Sequence, residues 1–187
     1  MSADGAHPPD ERELRDAFAS KAQAELEAAN RVAQGADAVP WSGDVFAEVA
    51  VVKGDPGPAE AAGGAALSGP DGEAARKALE ALGFDPASVF ATVARPEPDI
   101  DEEVLGARLR MQVEAVDPYA VVALDRVAAQ VAGIAFELGA LRSGRLVRAH
   151  GRVFVAADGL EESLADEALK RRVWRQLKTL SPRPPSL

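Results

Sequence analysis

The chain has 187 residues, of which 47% are hydrophobic and none is cysteine, and its formal net charge is −9. This composition excludes a disordered chain, and the lack of cysteine excludes disulfides and cysteine-bound metal or iron–sulfur clusters. The sequence contains no secretory signal and no apolar run long enough to cross a bilayer, so we expect a cytoplasmic protein with no membrane partner.

Predicted helices and strands alternate along the chain. A helical spacing of apolar residues follows Asp10, a candidate N-cap, and extends to about Gln34, with Gly35 as its predicted end. Further helices are predicted over 72–82, 101–116, 126–133 and 164–180. Four apolar runs predict the strands 49–52, 89–92, 120–124 and 153–155.

This alternation predicts an α/β fold with three α/β/α layers and a four-stranded, mainly parallel sheet. We expect one domain over residues 10–180, a disordered tail at 1–9 and a Pro-rich tail at 181–187. In such sheets the ligand crevice lies beyond the carboxyl ends of the strands. The predicted site therefore comprises the loops at 53–72, 93–100, 125–126 and 156–163.

The charge is unevenly distributed. Residues 138–187 contain ten Lys and Arg against five Asp and Glu, whereas residues 1–137 contain eleven against twenty-five. The C-terminal part is therefore formally +5 and the remainder −14. Such a pattern is typical of solvated helix and loop faces or of a local surface for an anionic ligand, and charge alone favours the first interpretation.

Six short segments follow one another between residues 46 and 180. A strand ends in KGDPG at 53–57, and GAALSGPDG follows at 64–72. A Leu-Gly pair at 82–83, VFATV at 89–93, PYAVVALDRVA at 118–128 and KRRVWRQL at 170–177 complete the series. In this order the segments resemble the uracil-DNA glycosylase superfamily, especially its bacterial branch that carries an iron–sulfur cluster.

The resemblance implies a fold that flips a base out of the duplex, stacks it on an aromatic ring and hydrogen-bonds its edge. It places Leu67 where the family has its stacking Phe, and Val93 where the family has the Asn that recognises uracil. The family's His-Pro-Ser motif corresponds to AADGL at 156–160. The implied base-pocket positions are Gly54, Pro56, Gly57, Leu67, Val93 and Asp158.

The catalytic His and the cluster cysteines of the family are absent, so we expect no cofactor and no metal site. Asp55 is the one candidate catalytic residue, because Gly54-Asp55-Pro56 resembles the Gly-x-Asp-Pro loop of the cluster-free branch, whose Asp positions water. An Asp before Pro in a Gly-rich loop is also ordinary turn chemistry, and we favour that interpretation. His150 precedes the fourth strand and is interpreted as a surface residue.

Two basic segments are candidates for phosphate binding. The first precedes the degenerate motif, where the resemblance implies contacts to the DNA backbone, and contains no acidic residue. It consists of Arg142, Arg145, Arg148 and Arg152. The second lies on the last predicted helix and consists of Lys170, Arg171, Arg172, Arg175 and Lys178. The acidic remainder opposes general DNA affinity.

Three functions remain open. The first and favoured one is a glycosylase-like, non-catalytic monomer that binds DNA or a protein partner. The second is a divergent DNA glycosylase that uses Asp55 to position water. The third is a scaffold with no role in nucleic-acid binding. Since a fold alone does not confer a function, the arrangement of the site has to discriminate among them.

Overall fold

The computed structural model describes residues 10–33 and 39–182. These residues form an α/β structure with a six-stranded mixed sheet and seven helices. The strands are β1 Ser42–Gly43, β2 Val49–Lys53, β3 Val89–Val93, β4 Ala120–Ala123, β5 Val147–Ala149 and β6 Arg152–Ala156. The helices are α1 Glu11–Val32, α2 Pro58–Ala61, α3 Pro70–Ala81, α4 Glu102–Val116, α5 Arg126–Ala135, α6 Leu160–Ser163 and α7 Glu167–Leu177.

The sheet has six strands rather than the four that were predicted. Its order is β1-β3-β2-β4-β6-β5. The four predicted strands form the centre and pair in parallel, whereas β1 and β5 are antiparallel at the two edges. The edge strands were missed because they have only two and three residues, too few for a periodic pattern of burial.

Helices cover both faces of the sheet. Neighbouring residues of each central strand point to opposite faces, so every central strand contributes side chains to both packed layers. On one face, strand residues such as Ala50 and Val52 pack with α1, α4 and α5. On the other, Val49 and Val51 pack with α3, α6 and α7. Both faces are therefore buried, which explains why the central strands are continuous apolar runs.

The predicted first helix is confirmed from its cap onwards. The Asp10 side chain accepts a hydrogen bond from the backbone N–H of Glu13, and the Glu13 side chain accepts one from the Asp10 N–H, which forms a capping box. Its predicted end, Gly35, lies outside the described residues, as do the tail at 1–9 and residues 183–187 of the Pro-rich tail.

The last predicted helix, over 164–180, is confirmed as α7 but is shorter than predicted, at Glu167–Leu177. The segment contains the end of a turn and a shorter helix, α7, with the separate helix α6 before it. Asp166 explains the start of α7, because its side chain accepts hydrogen bonds from the N–H groups of Ala168 and Leu169. An Asp in this capping position favours a helix start over continuation of a helix. Within the described residues, no helix combines the length and apolar character that a membrane span requires.

Candidate functional site

The parallel strands end at one edge of the sheet, which we call the carboxyl edge. In the register of the sheet, Lys53 pairs with Val93, and Ala123 pairs with Ala156. A cavity of about 320 Å³ opens at this edge and is formed by loops that follow β2, β4 and β6. We call it the carboxyl-edge cleft. Its charged lining consists of Lys53, Arg126, Asp55, Asp71, Asp125, Asp158, Glu161 and Glu162.

Lys53 is the last residue of β2, and its ammonium group is surrounded by carboxylates. The side-chain Nζ lies 2.7 Å from Asp71, 2.9 Å from Glu161 and 3.3 Å from Glu60, and the residue is only 4% exposed. Burial alone would lower the pKa of Lys53, but hydrogen bonds to Asp71 and Glu161 and the nearby charges raise it above its usual value. Its three N–H donors are thus matched by three internal acceptors.

Glycine at position 57 leaves room for this ion cluster. A Cβ at Gly57 would lie 2.4 Å from the Lys53 Nζ and 2.7 Å from a Glu161 carboxylate oxygen. Either side chain would have to move to accommodate a larger residue. The resemblance predicts Gly57 as a base-pocket position, and the structure places it where the backbone turns into α2.

Glu60 connects the ion cluster to the loop that contains Leu67. One of its carboxylate oxygens accepts a hydrogen bond from the Leu67 N–H at 2.8 Å, and the other accepts one from the Gly57 N–H at 3.0 Å. Leu67 has a φ of 54°, in the left-handed region that disfavours residues other than glycine. Its carbonyl approaches α3 so closely that a Cβ at Gly72 would lie 1.8 Å from the oxygen. The loop is therefore held in place by the Glu60 carboxylate and by the close approach of the Leu67 backbone to α3.

Leu67 and Val93 are buried in the core. Leu67 is 2% exposed, and Val93 is fully buried at the end of β3. The Val93 carbonyl accepts a hydrogen bond of 2.7 Å from Arg108, a buried residue of α4 whose pKa burial lowers to about 10. Neither of these two predicted base-pocket positions lines the carboxyl-edge cleft.

Asp55 and Pro56 line the cleft, and Asp55 forms a bidentate ion pair. Its two carboxylate oxygens accept hydrogen bonds of 2.6 Å from Arg95 Nε and 2.8 Å from Arg95 Nη2. These bonds raise the pKa of Arg95 despite the opposing effect of burial. The half-exposed ion pair joins the loops after β2 and β3, so Asp55 has a structural contact at the rim of the cleft.

Asp125 lies two residues after the end of β4 and fixes the start of α5. Its carboxylate accepts a hydrogen bond of 2.9 Å from the Ala128 N–H, and one of 2.7 Å from the N–H of Gly54, the first predicted base-pocket position. Burial raises the pKa of Asp125, although the hydrogen bonds from Ala128 and Gly54 oppose this shift. One side chain thus caps a helix and connects two parallel strand ends.

We expect Asp125→Ala to lower the free energy of unfolding by about 1–2 kcal/mol, because two backbone N–H groups lose their acceptor. The raised pKa makes the folded state bind more protons than the unfolded state above the ordinary pKa of Asp. The stability difference from wild type should therefore shrink as the pH rises above the ordinary pKa of Asp, about 4. Urea unfolding of both proteins across this range measures the difference, and an increase with pH would contradict the assignment.

Asp158 lies where the resemblance implies the catalytic His motif. Hydrogen bonds from Ser143 and Gln176 lower the pKa of Asp158 despite the opposing effect of burial, and the charge of Arg172 adds to the lowering. The contact with Gln176 is 2.7 Å, and the Arg172 guanidinium is 3.8 Å away. Asp158 thus connects the cleft, the loop before β5 and helix α7.

The four arginines predicted to bind phosphate lie at both ends of β6. Arg142 and Arg145 precede β5 near the carboxyl edge, where the Gly144 N–H donates to the carbonyl of Ala156. Arg148 lies on β5 and pairs with Val153, so it is further toward the opposite edge. Arg152 begins β6, where it forms an ion pair with Asp117 and donates to the carbonyl of His150. The structure therefore brings only the first two to the cleft side.

His150 also lies at the edge opposite the cleft. It occupies the turn between β5 and β6, and its Nε2 is 2.9 Å from the carbonyl oxygen of Phe136. His150 is exposed, which confirms its interpretation as a surface residue.

Sequence reasoning missed the ion cluster of Lys53, Glu60, Asp71 and Glu161, as well as the role of Asp125. A usable signal was present: Lys53 ends an apolar strand, and Asp125 follows another after Leu124. Polar residues directly at the ends of buried parallel strands face the crevice of an α/β sheet. Glu60, Asp71 and Glu161 lie on helices α2, α3 and α6, where no such pattern identifies them.

No family model matches the chain, and no curated protein matches it. Within residues 10–33 and 39–182, no group of three or more His, Cys, Asp or Glu side chains is arranged to hold a metal ion.

Proposed function

We propose that this protein is a uracil-DNA glycosylase-like, three-layer protein that binds nucleic acid through its phosphates and does not excise uracil. The observation that carries the proposal is a basic surface built from two chain segments, Arg142 and Arg145 before β5, and Arg172 and Arg175 on α7. We call these four residues the basic surface. The resemblance supplies the glycosylase-like part of the proposal, and the α/β architecture is compatible with it.

The two segments of the basic surface are in contact. Between Arg142 and Arg145, a Cβ at Gly144 would lie 3.0 Å from the Gln176 side chain on α7. Asp158 accepts a hydrogen bond from the other end of the same Gln176 side chain. This packing places cations from two segments beside one edge of the carboxyl-edge cleft.

The basic surface has cations available for a ligand. Within the described residues, Arg142, Arg145 and Arg175 are exposed and make no ion pair, and the exposed Arg172 is 3.8 Å from Asp158. The cleft itself has the opposite character, with six carboxylates against two cations. Phosphates would therefore be attracted to the basic surface and repelled from the cleft. This favours a nucleic acid that binds beside the carboxyl-edge cleft over one that inserts into it.

We expect low-salt binding of a labelled oligonucleotide that weakens steeply as salt is added, because phosphate contacts release counterions. Reversing Arg142 and Arg145 to Glu should reduce both the affinity and the slope of its salt dependence, with a slope loss of about 0.7 to 0.9 for each phosphate contact removed. Fluorescence anisotropy over a salt series measures both quantities.

The matched control is Arg12→Glu with Arg31→Glu, two exposed arginines of α1 on the other face of the sheet. Both double variants change the net charge equally, so only a local effect distinguishes them. Equal affinity losses in the two would point to overall charge and remove the basic surface from the proposal. Failure of the wild type to bind at low salt would overturn the proposed function itself.

A further inference from the structure

A second cavity lies beside α7 and shares no lining residue with the carboxyl-edge cleft. It has a volume of about 340 Å³ and is formed by α3, α6 and α7. Its floor is mostly apolar and includes Ala74, Ala78, Leu160, Leu164 and Trp174. We call this cavity the α3–α7 groove. Its volume is at the lower end of the range for sites that enclose small organic groups.

The rim of the groove is basic. Lys170 and Arg171 line it from α7, and they are followed along the same helix by Arg172 and Arg175 of the basic surface. Lys170 is 3.3 Å from Glu167, whereas Arg171 makes no ion pair within the described part of the chain. An anionic chain bound along α7 would thus have cations on both sides of Trp174.

The floor of the groove offers few hydrogen-bonding groups. The Ser163 hydroxyl already donates to the Leu160 carbonyl at 2.6 Å, and Glu167 is engaged by Lys170. Trp174 is half-buried, and the Lys178 Nζ is 5.8 Å from its ring centre. The groove therefore suits a flat apolar group that stacks, rather than one whose edge must be recognised by hydrogen bonds.

We infer that the α3–α7 groove receives an unpaired base of a single-stranded nucleic acid, stacked against Trp174, while Arg171 and the basic surface contact the flanking phosphates. The inference rests on the proposed function and specifies its ligand. A basic track with an aromatic platform is how proteins bind single strands with little sequence preference, because every base has a flat face. A duplex would present its phosphates but no free base, so single strands should bind more tightly.

The test compares an oligothymidylate with an abasic oligonucleotide of the same length, which has the phosphates but no bases. We expect the wild type to bind the oligothymidylate more tightly. Trp174→Leu keeps an apolar side chain in the groove and should weaken oligothymidylate binding about 5- to 150-fold, the range for losing one base stack. The same variant should bind the abasic oligonucleotide as the wild type does, and oligouridylate measured in parallel tests an RNA ligand.

The fluorescence of Trp174 can report binding in the groove directly, because the chain has only two tryptophans. With Trp41 replaced by Phe, Trp174 is the sole tryptophan, and oligothymidylate should quench its fluorescence while the abasic oligonucleotide should not. Phe18→Leu is the matched control for Trp174→Leu, since Phe18 is a 61% exposed aromatic residue on the opposite face of the sheet. Thermal unfolding of each variant verifies that it is folded.

The outcomes separate the two proposals. Salt-dependent binding that is equal for both oligonucleotides and unchanged by Trp174→Leu overturns the groove inference and leaves the proposed function in place; a groove that serves a protein partner would give this result. Absence of binding to either oligonucleotide at low salt overturns the proposed function and the inference together. A loss for oligothymidylate alone in Trp174→Leu, with Phe18→Leu unaffected, supports both.

Discussion

Replacing Lys53 with Met is expected to lower the free energy of unfolding by about 3–5 kcal/mol, the usual cost of removing one partner from a buried ion pair. Met retains most of the apolar stem, so the packing of the side chain changes little. What is lost is the cation opposite Asp71 and Glu60, whose side chains are 3% and 0% exposed. Their charges would then be buried without compensation. Urea-induced unfolding followed by circular dichroism measures the loss.

Lys77→Met is the matched control, because Lys77 forms an exposed i,i+4 ion pair with Glu73 on α3. Such a pair contributes only about 0.3–0.5 kcal/mol. A second variant tests the cause of the Lys53 effect. Adding Glu60→Gln and Asp71→Asn to Lys53→Met removes the uncompensated charges, so part of the lost stability should return.

Full recovery in the triple variant is not expected. Glu60 also accepts hydrogen bonds from the N–H groups of Gly57 and Leu67 through its two oxygens, and the single carbonyl of Gln can replace only one of them. If Lys53→Met costs no more than Lys77→Met, the ion cluster does not stabilise the fold. A triple variant less stable than Lys53→Met alone would show that the loss has another origin.

The central sheet was predictable because burial on both faces produces a simple signal. The runs VAVV, VFAT and AVVAL are almost entirely apolar, and a strand covered by helices on both sides requires this composition. The edge strands lack the signal: β5 includes the exposed Arg148, and its segment was interpreted only as a phosphate-binding run. Short edge strands are defined by pairing with a neighbour, which a single sequence does not reveal.

The candidate site was predictable in its location but not in its contacts. The expectation of a crevice at the carboxyl ends of the strands rests on topology alone, and cleft-lining residues occur in three of the four predicted loops. The partners of Lys53 come from positions 60, 71 and 161, at sequence separations from 7 to 108 residues. Such pairings follow from tertiary packing, and neither charge nor spacing in the sequence specifies them.

Uracil excision by this protein should be undetectable or very weak, which is the second large effect that we predict. Negative charge develops on the departing uracil, and a glycosylase stabilises it with a hydrogen-bond donor. One such donor lowers the activation free energy by about 2–4 kcal/mol, or roughly a hundred- to thousand-fold in rate. At the position that the resemblance assigns to the His motif, this chain has Asp158. Its pKa is lowered by hydrogen bonds from Ser143 and Gln176, so the side chain carries a negative charge at neutral pH.

A carboxylate beside a developing anion raises its energy instead of lowering it, so at the position that the resemblance assigns to the His motif we expect Asp158 to oppose the reaction. Val93 adds a second loss, because it is fully buried and has no side-chain group to hydrogen-bond the edge of a base. These losses need not be additive, since catalytic residues act as a unit. Asp55 could supply at most the positioning of water, and each of its carboxylate oxygens already accepts one hydrogen bond from Arg95.

The decisive comparison uses uracil-containing single-stranded DNA with the protein in excess, and measures strand cleavage at the abasic product for wild type and Asp55→Ala. Asp85→Ala is the control, because Asp85 is an exposed aspartate in the loop before β3. We expect equal, near-background signals from all three, since the positions that the resemblance assigns to the His motif and to the base-recognising Asn hold Asp158 and Val93. Robust cleavage by the wild type and Asp85→Ala that disappears in Asp55→Ala would establish a divergent glycosylase. The Asp55–Arg95 ion pair would then hold the residue that positions water.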